Sequence, residues 1–497
     1  MTIHNKLNHI SEYLDNIKKN AYLDIENLEN LVLSKKSNSN FVRGYIFGLS
    51  SRKLTKIFIV RQIAVFYLKA FSKLFLYFIG YIIFKFFGKK TNIDWSQNFI
   101  LVDVFFLVDN IIKDGKFKEN YLKGLYDVLR KYNKNYIFLP RLYGVDKNPF
   151  KLINLFNVTN KEKSDVFMYE YGLLSIVDMF KLFIFITKYP FKQFKLIQQN
   201  RHELDPFFNY ELFNVLPRTS FIVYIRYLIG KKIAQKLTNG SKIISWQEFQ
   251  GIEKSFNKAI KESNKEITIY GCEFSMTYKT YIGMHITDID FDLEITPNQT
   301  LLNGNNNYSN SKKHIFRNGV SLRYGNLFKY KGDNKRDVKP LALIGYDINE
   351  GVNILKNIKF LKSLNVKIHP ATSKSQFNKY IKYNWEYIYG DLYEAFKGAN
   401  IVFTPPYAGT TLEAVACGLS VIVVANEDNL TNPLVDYGRG EIWDIAFSED
   451  DVKKKCNLLL EYRKNSPDKV KKIASWYKEK FFIEPTEENI VKAFELN

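Results

Sequence analysis

The residues Thr404-Pro405-Pro406-Tyr407-Ala408-Gly409-Thr410-Thr411-Leu412-Glu413-Ala414 are the densest group in this sequence with types and spacing suited to chemistry. They follow a short apolar run, Ile401 to Phe403, and lead into a helical pattern, Thr410 to Cys417. Gly409 permits a tight turn between the two. The unsatisfied amides of a helix start, together with the hydroxyls of Thr410 and Thr411, make a cradle for a phosphate, and the helix dipole favours an anion there. Glu413, one turn further on, can accept hydrogen bonds from a ribose. The same residues also describe an ordinary threonine-capped helix with an acid in its first turn.

A second group is Lys367-Ile368-His369-Pro370, where a strand pattern ends in His-Pro. Proline stops the strand and fixes the turn, so the imidazole projects from the carboxyl edge, where α/β sheets bind ligands. A histidine there can donate to a leaving phosphate oxygen or supply a proton to it. Taken alone, such a histidine is more often structural. Gly345, after the run Leu341 to Ile344, leaves room for a ligand at the same edge. Two phosphate-suited sites at strand ends of one sheet favour the functional reading of both.

These groups need a doubly wound sheet to position them, and the surrounding pattern supplies one. Strand patterns at 341–344, 366–368, 401–403 and 421–424 alternate with helical patterns at 349–363, 392–396 and 410–417, with Gly418 as a helix stop. Upstream, 99–108, 135–139 (ended by Pro140), 242–246 and 267–270 read as strands, with helices at 117–132 and 252–263. The expected fold class is α/β, with two Rossmann-like domains facing a cleft and an N-terminal helical, partly apolar extension. The expected domains are 1–95 (extension), 96–320, 335–480 and a C-terminal helix at 481–497. The Asn-, Ser-, Gly- and Lys-rich stretch from Asn303 to Lys339 reads as a long loop or inter-domain linker.

Composition narrows the function. With 72 Lys and Arg against 51 Asp and Glu, the net charge is +21, which attracts polyanions: nucleic acid, anionic lipid or phosphorylated substrates. The 3 cysteines exclude a disulfide scaffold, and Cys272, Cys417 and Cys456 lack zinc-ligand spacing. A reducing cytoplasm fits. The stretch from Met1 to Leu33 is polar and helical in pattern, unlike an apolar export segment. Val65 to Phe87 approaches the roughly 20 apolar residues that span a bilayer, but Lys69, Lys73 and Lys85 interrupt it. A spanning helix, an interfacial aromatic-basic helix and a helix buried in the fold all remain open. A second apolar stretch, Leu173 to Pro190, contains Asp178 and Lys181 and reads as core.

With its His369-Pro370 and Thr410-Thr411 motifs, the region from about 340 to 480 resembles the donor half of GT-B glycosyltransferases. The resemblance is to bacterial surface-polysaccharide transferases of the sialyl- and Kdo-type, which use CMP-sugars. The stretch Ile244-Ser245-Trp246-Gln247-Glu248-Phe249-Gln250-Gly251-Ile252-Glu253-Lys254, the strand end Tyr270-Gly271, and Pro297-Asn298 with Gly304 resemble elements of the acceptor half. The resemblance covers about 250 of the 497 residues. Two positions depart from the pattern: Glu273 stands where relatives often carry histidine, and Asn298 stands in place of aspartate.

The resemblance implies a metal-independent glycosyltransferase with no cofactor beyond its nucleotide-sugar donor, a CMP-linked acidic sugar being favoured. The acceptor would be lipid-linked or a surface glycan, in capsule, lipopolysaccharide or O-antigen synthesis. His369, Pro370, Gly345, Gly409, Thr410, Thr411 and Glu413 would form the donor site. An inverting transferase needs a base for the acceptor hydroxyl. Glu248, after a strand of the acceptor half, is the first candidate; Glu273, His285 and Asp103 follow, and Glu248 could instead cap the next helix. The alternation Asp288, Asp290, Asp292 is compatible with a metal site but also with a plain strand having one wet face. The expected partners are a nucleotide-sugar, a glycan or lipid-linked acceptor and an anionic membrane surface, with no nucleic acid. That places the protein in the cytoplasm, peripheral on the inner face of the plasma membrane. A GT-B-fold sugar-nucleotide epimerase or glycerophosphotransferase is an alternative, and a non-catalytic basic membrane- or nucleic-acid-binding protein is one of another class.

Overall fold

A computed structural model describes residues 5–6, 9–10, 12–13, 16–17, 40–46, 48, 53–89, 93–107, 112–113, 116–117, 121–143, 148–162, 165–217, 220–248, 251–273, 295–305, 314–332, 338–345, 347–370, 372–406, 408–426 and 434–497. Two parallel sheets dominate it. The first contains β1 (Ile100–Leu107), β4 (Tyr136–Tyr143), β5 (Lys242–Gln247), β6 (Thr268–Glu273), β7 (Gln299–Leu301) and β8 (Phe316–Arg317), in the order β4-β1-β5-β6-β7-β8. β2 (Ile112–Lys113) and β3 (Lys116–Phe117) form a separate small hairpin. The second sheet contains β9 (Leu341–Ile344), β10 (Leu364–Ile368), β11 (Trp385–Tyr387), β12 (Ile401–Thr404), β13 (Ser420–Val424) and β14 (Trp443–Ala446), in the order β11-β10-β9-β12-β13-β14.

In chain order, the second sheet has the order 3-2-1-4-5-6 of a doubly wound fold. The first approaches the same order through an irregular edge beyond β4, where Phe138 N–H donates to Val166 O and Met168 N–H donates to Phe138 O, both at 2.8 Å. The chain thus has the two Rossmann-like domains that its sequence implies. Layers on both faces explain the near-continuous apolar strands: Leu101, Val102, Val104 and Phe106 of β1 and Val421 to Val424 of β13 are all buried.

Four expectations change. Pro140 does not end β4, which continues to Tyr143, with Pro140 opposite Val104. Phe138 uses its ladder groups toward the 166–168 edge, and Pro140, two residues on, faces the same side past the end of that pairing. A missing N–H costs little there. The stretch from Asn303 to Lys339 is not simply a linker, because it contains β8, the 3-10 turn Leu322–Tyr324 and the helix Gly325–Lys329. The apolar stretch Leu173 to Pro190 is not all core: the helix Ile176–Phe194 buries one face and leaves Ile176, Val177, Phe180, Phe183, Phe191 and Phe194 exposed. Helix 349–363 closes early, at Asn357.

The described residues of the N-terminal extension also join the first lobe. Ile10, Tyr13, Ile17, Phe41 and Ile46 are buried in the first core, and the Tyr13 hydroxyl donates to Asp205 at 2.8 Å. The helix Lys56–Phe87 packs on the same lobe through Phe66, Ala70, Tyr77, Gly80, Ile83 and Phe84. At the other end, the helix Glu487–Phe494 returns to the first lobe, where Ile490, Val491 and Phe494 join its core.

Between the lobes the chain passes twice through one place. Asn305 N–H donates to Phe481 O at 3.3 Å, Gly319 N–H to Gly304 O at 3.0 Å, and Ser321 N–H to Ile483 O at 3.0 Å. The Ser321 hydroxyl accepts from Ile483 N–H at 3.0 Å and donates to Asn303 O at 3.1 Å. Gly304 sits at φ +143°, and a Cβ there would run into the carbonyl of Phe481. Gly304→Ala is therefore expected to lower the thermal midpoint by several degrees. Gly332→Ala, with no atom of the described residues within 4 Å of the added methyl, should leave it unchanged. Equal midpoints for the two variants would show that the crossing does not depend on this glycine.

Candidate functional site

All strands of the second sheet are parallel, so the loops after β9, β10 and β12 leave the same edge. β9 lies between β10 and β12, and there the winding direction reverses. Gly345 follows β9, His369 and Pro370 follow β10, and the Pro405 to Thr410 turn follows β12. The proposed donor residues thus surround one switch point, the place where open α/β sheets form a crevice. A Cβ on Gly345 would come within 3.4 Å of Pro405 Cγ, so the two loops abut at that position. His369 is anchored through its backbone, its N–H donating to Ile344 O at 2.8 Å, while the residue as a whole is exposed.

The helix Gly409–Ala416 begins from Ala408, and no side chain caps it. The threonine-cap reading is therefore replaced by a helix start without a side-chain acceptor. The two threonines differ. Thr410 is half-buried, but Thr411 is fully buried and its hydroxyl has no hydrogen-bond partner among the described residues. Its hydroxyl does not face solvent, which corrects the expectation that both hydroxyls line the cradle. Helical geometry explains this: Thr411 lies on the inward face with Leu412 and Val415. Tyr407 lies outside the described residues.

Glu413 is also buried, and the Tyr393 hydroxyl donates to its Oε1 at 2.7 Å. Burial raises the Glu413 carboxyl to about 7, against the opposing effects of the Tyr393 hydrogen bond and the Arg323 charge; Asp391 adds to the rise. Tyr393 comes from the short helix Leu392–Lys397, whose start is capped by Asp391.

In the first lobe, Glu248 follows β5 at that sheet's carboxyl edge and is half-buried. Its position is set from beneath. Its backbone N–H donates to Glu253 Oε2 at 2.7 Å, so Glu253 supports Glu248 and the expected cap runs in the opposite direction. Glu253 Oε1 accepts from Arg141 at 3.0 Å. Arg141 is paired with Asp103 at 2.9 and 2.5 Å, and Arg226 reaches Asp103 at 2.7 Å. Two buried cations are thus balanced by two buried anions. The two guanidiniums hold the Asp103 carboxyl below its usual range despite burial. Asp103 is accordingly a structural ion and not a candidate base. Glu273 ends β6 beside Gln247 and is buried. His285, Asp288, Asp290 and Asp292 lie outside the described residues, as do Phe249 and Gln250.

The residue that sequence reasoning missed is Arg323, on the 3-10 turn directly after the inter-lobe crossing. It is exposed to solvent, yet protein surrounds it closely enough to desolvate it. No hydrogen bond or ion pair joins its guanidinium to a described residue. Its charge is nonetheless coupled to Tyr324, Glu413, Tyr121 and Glu248. Desolvation by the surrounding protein, and then this same charge, hold the His369 imidazole below its ordinary range. Arg323 therefore has Glu248 of the first lobe and His369 and Glu413 of the second within its field. Its only trace in the sequence is a lone arginine between Leu322 and Tyr324, at the end of a stretch that reads as linker.

No family model and no curated protein matches this sequence. Among solved structures, the chain is similar to MurG of Acinetobacter baumannii (8% identity, 80% of this chain and 99% of that one, TM-score 0.41). It is also similar to a UDP-GlcNAc 2-epimerase from Methanocaldococcus jannaschii (12% identity, 80% and 100% covered, TM-score 0.41). The glycosyltransferase SnogD from Streptomyces nogalater is a third (10% identity, 80% and 99% covered, TM-score 0.42). At these identities and scores none of them says what this chain acts on.

The raised Glu413 value has a sign that can be tested. The folded chain holds this proton more tightly than the unfolded chain does. The contribution of Glu413 to stability therefore falls as pH rises from its ordinary value of 4.5 through about 7. Glu413→Gln keeps an acceptor for Tyr393 but cannot ionise. Relative to that variant, the wild type should lose urea resistance between about pH 5 and about pH 7.5. A constant difference across that range would show that Glu413 is not perturbed.

Proposed function

We propose that the chain is a glycosyltransferase that moves a sugar from a nucleotide-sugar donor to an acceptor positioned by the first lobe. The single observation that carries this reading is that the loops bearing Gly345, His369 and the Pro405 to Thr410 turn leave one edge of a parallel sheet at its switch point. Residues 96–320 serve as the acceptor half and 335–480 as the donor half. The donor phosphate is held at the switch point by Arg323, by the amides and hydroxyl at Gly409 and Thr410, and by the His369 imidazole, with Pro370 fixing the turn and Gly345 letting the β9 loop lie against Pro405. Thr411 supports that turn from inside. Glu413 with Tyr393 addresses the ribose, and Glu248 takes the proton of the acceptor hydroxyl.

The charge logic is direct. As the sugar departs, negative charge grows on the leaving phosphate, and a preset guanidinium and helix start stabilise it without reorganising. An arriving phosphate also offsets the Arg323 charge next to His369, which raises the affinity of the imidazole for a proton. His369 then protonates the leaving oxygen more readily with donor bound than without. A CMP-linked acidic sugar is the favoured donor, and a lipid-linked or surface glycan of the capsule or lipopolysaccharide kind is the favoured acceptor. The chain would act without a resident cofactor, peripheral on the cytoplasmic face of a membrane.

Purified protein with CMP, UDP, GDP and CDP should show its largest thermal-shift increase with CMP, because a ligand that binds only the folded form stabilises it by mass action. His369→Ala and Arg323→Ala should each reduce turnover by about a hundredfold, with unfolding midpoints near wild type because both side chains are solvent-exposed. No shift with any nucleotide, or undiminished turnover in both variants, would overturn the reading.

A further inference from the structure

The helix Lys56–Phe87 has two apolar faces. One packs inward, as described above. The other exposes Val60 and then Leu68, Phe71, Phe75, Phe78, Ile82 and Phe86, which from Leu68 onward recur every three or four residues. The helix Ile176–Phe194 runs antiparallel beside it. Phe66 lies 5.6 Å from Tyr189, the Tyr67 hydroxyl donates to Thr187 O at 3.1 Å, and Phe71 lies 5.8 Å from Phe183. Phe71 and Phe183 are themselves exposed, so the outer stripes of the two helices merge where they meet. With Ile176, Val177, Phe180, Phe191 and Phe194, they form an apolar plate two helices wide, far larger than an isolated surface hydrophobe.

Charge identifies what covers it. The two helices carry eight basic residues (Lys56, Arg61, Lys69, Lys73, Lys85, Lys181, Lys188 and Lys192) and one acid, Asp178. Asp178 is buried and neutralised, its carboxylate lying 3.4 Å from Lys181 and 3.3 Å from Lys232. The plate is therefore apolar and is carried by helices with a net positive charge. A second copy of the same surface would bring two like charges together. An anionic bilayer interface offers acyl chains to the plate and phosphates to the basic residues of both helices.

We propose that these paired helices form a monotopic membrane anchor, lying in the plane of an anionic leaflet with both outer stripes inserted. This deepens the peripheral location proposed above and rests on that part of the reading alone. The first helix is long and apolar enough to cross a bilayer, but its inner face is committed to the lobe. A Cβ at Gly80 would press on the Tyr171 ring, and Phe84 meets Phe156 edge to face at 5.4 Å. Standing the helix upright would strip these contacts or drag the first lobe into hydrocarbon, whereas lying flat keeps them.

The full chain should co-sediment with vesicles of phosphatidylglycerol and phosphatidylcholine, and weakly with phosphatidylcholine alone. Alkaline carbonate should release it. Phe75→Asp on the first helix and Phe180→Asp on the second should each weaken anionic-vesicle binding about tenfold or more, while leaving the unfolding midpoint unchanged because both side chains point outward. The Phe180→Asp result isolates the second helix: full binding by that variant would overturn the paired anchor. Retention after carbonate would overturn the in-plane arrangement. A concentration-dependent dimer that both variants abolish, without vesicle binding by the wild type, would assign the plate to a second copy instead. Nucleotide thermal shifts are read separately, so loss of this anchor and loss of the transferase reading are distinguishable.

Discussion

The close backbone approach where the chain crosses between lobes fixes the geometry of everything that faces the cleft. Residues 303–305, 319–321 and 481–483 meet there with scarcely any side-chain volume between them, and Ser321 ties outgoing and returning segments together. One residue beyond Leu322, the chain presents Arg323, and Tyr324 packs against Phe482 with ring centroids 5.3 Å apart. The element that joins the lobes is therefore also the element that holds a cation between them. A change in the relative position of the lobes would change the distance from that cation to one set of partners or the other.

Three arginines near the facing edges of the two sheets are treated in two opposite ways. Arg141 and Arg226 are buried with Asp103 and Glu253, where the desolvation of each ion is offset by direct pairing. Removing one partner would leave an uncompensated interior charge, so that network fixes a rigid base under the Glu248 loop. Arg323 has no direct ion pair with a described residue and retains contact with solvent. A charge kept unpaired by contact, yet partly desolvated, attracts an incoming anion more strongly than one already satisfied. The first arrangement gives rigidity, and the second leaves attraction unspent.

Much of the fold was legible because parallel strands covered on both sides must be apolar throughout, and runs such as Val421 to Val424 have no other ready explanation. The short edge strands β11 and β14 were not legible: Trp385–Tyr387 and Trp443–Ala446 are too brief to show a period, and tertiary pairing defines them. Pro140 misled because a proline's meaning depends on which side of a strand is paired. The residues proposed for the donor side lie close in sequence to strand ends, which is where the sequence pattern drew attention to them. Thr411 was misread because adjacent helix positions point in different directions, and a hydroxyl does not reveal which one is wet. Arg323 escaped because its importance comes from where two distant segments cross.

The helix Glu487–Phe494 completes the core of the lobe built by residues hundreds of positions earlier. Lys131 pairs with Glu487 at 2.6 Å, and the Tyr270 hydroxyl donates to Glu495 at 2.6 Å. A ribosome delivers these late residues after the entire second lobe has emerged. The earlier lobe must therefore wait, with a gap where Ile490 and Phe494 belong, while its neighbour folds. During that interval it has an apolar seam open to chaperones and to other nascent chains, and the seam closes when the helix Glu487–Phe494 docks.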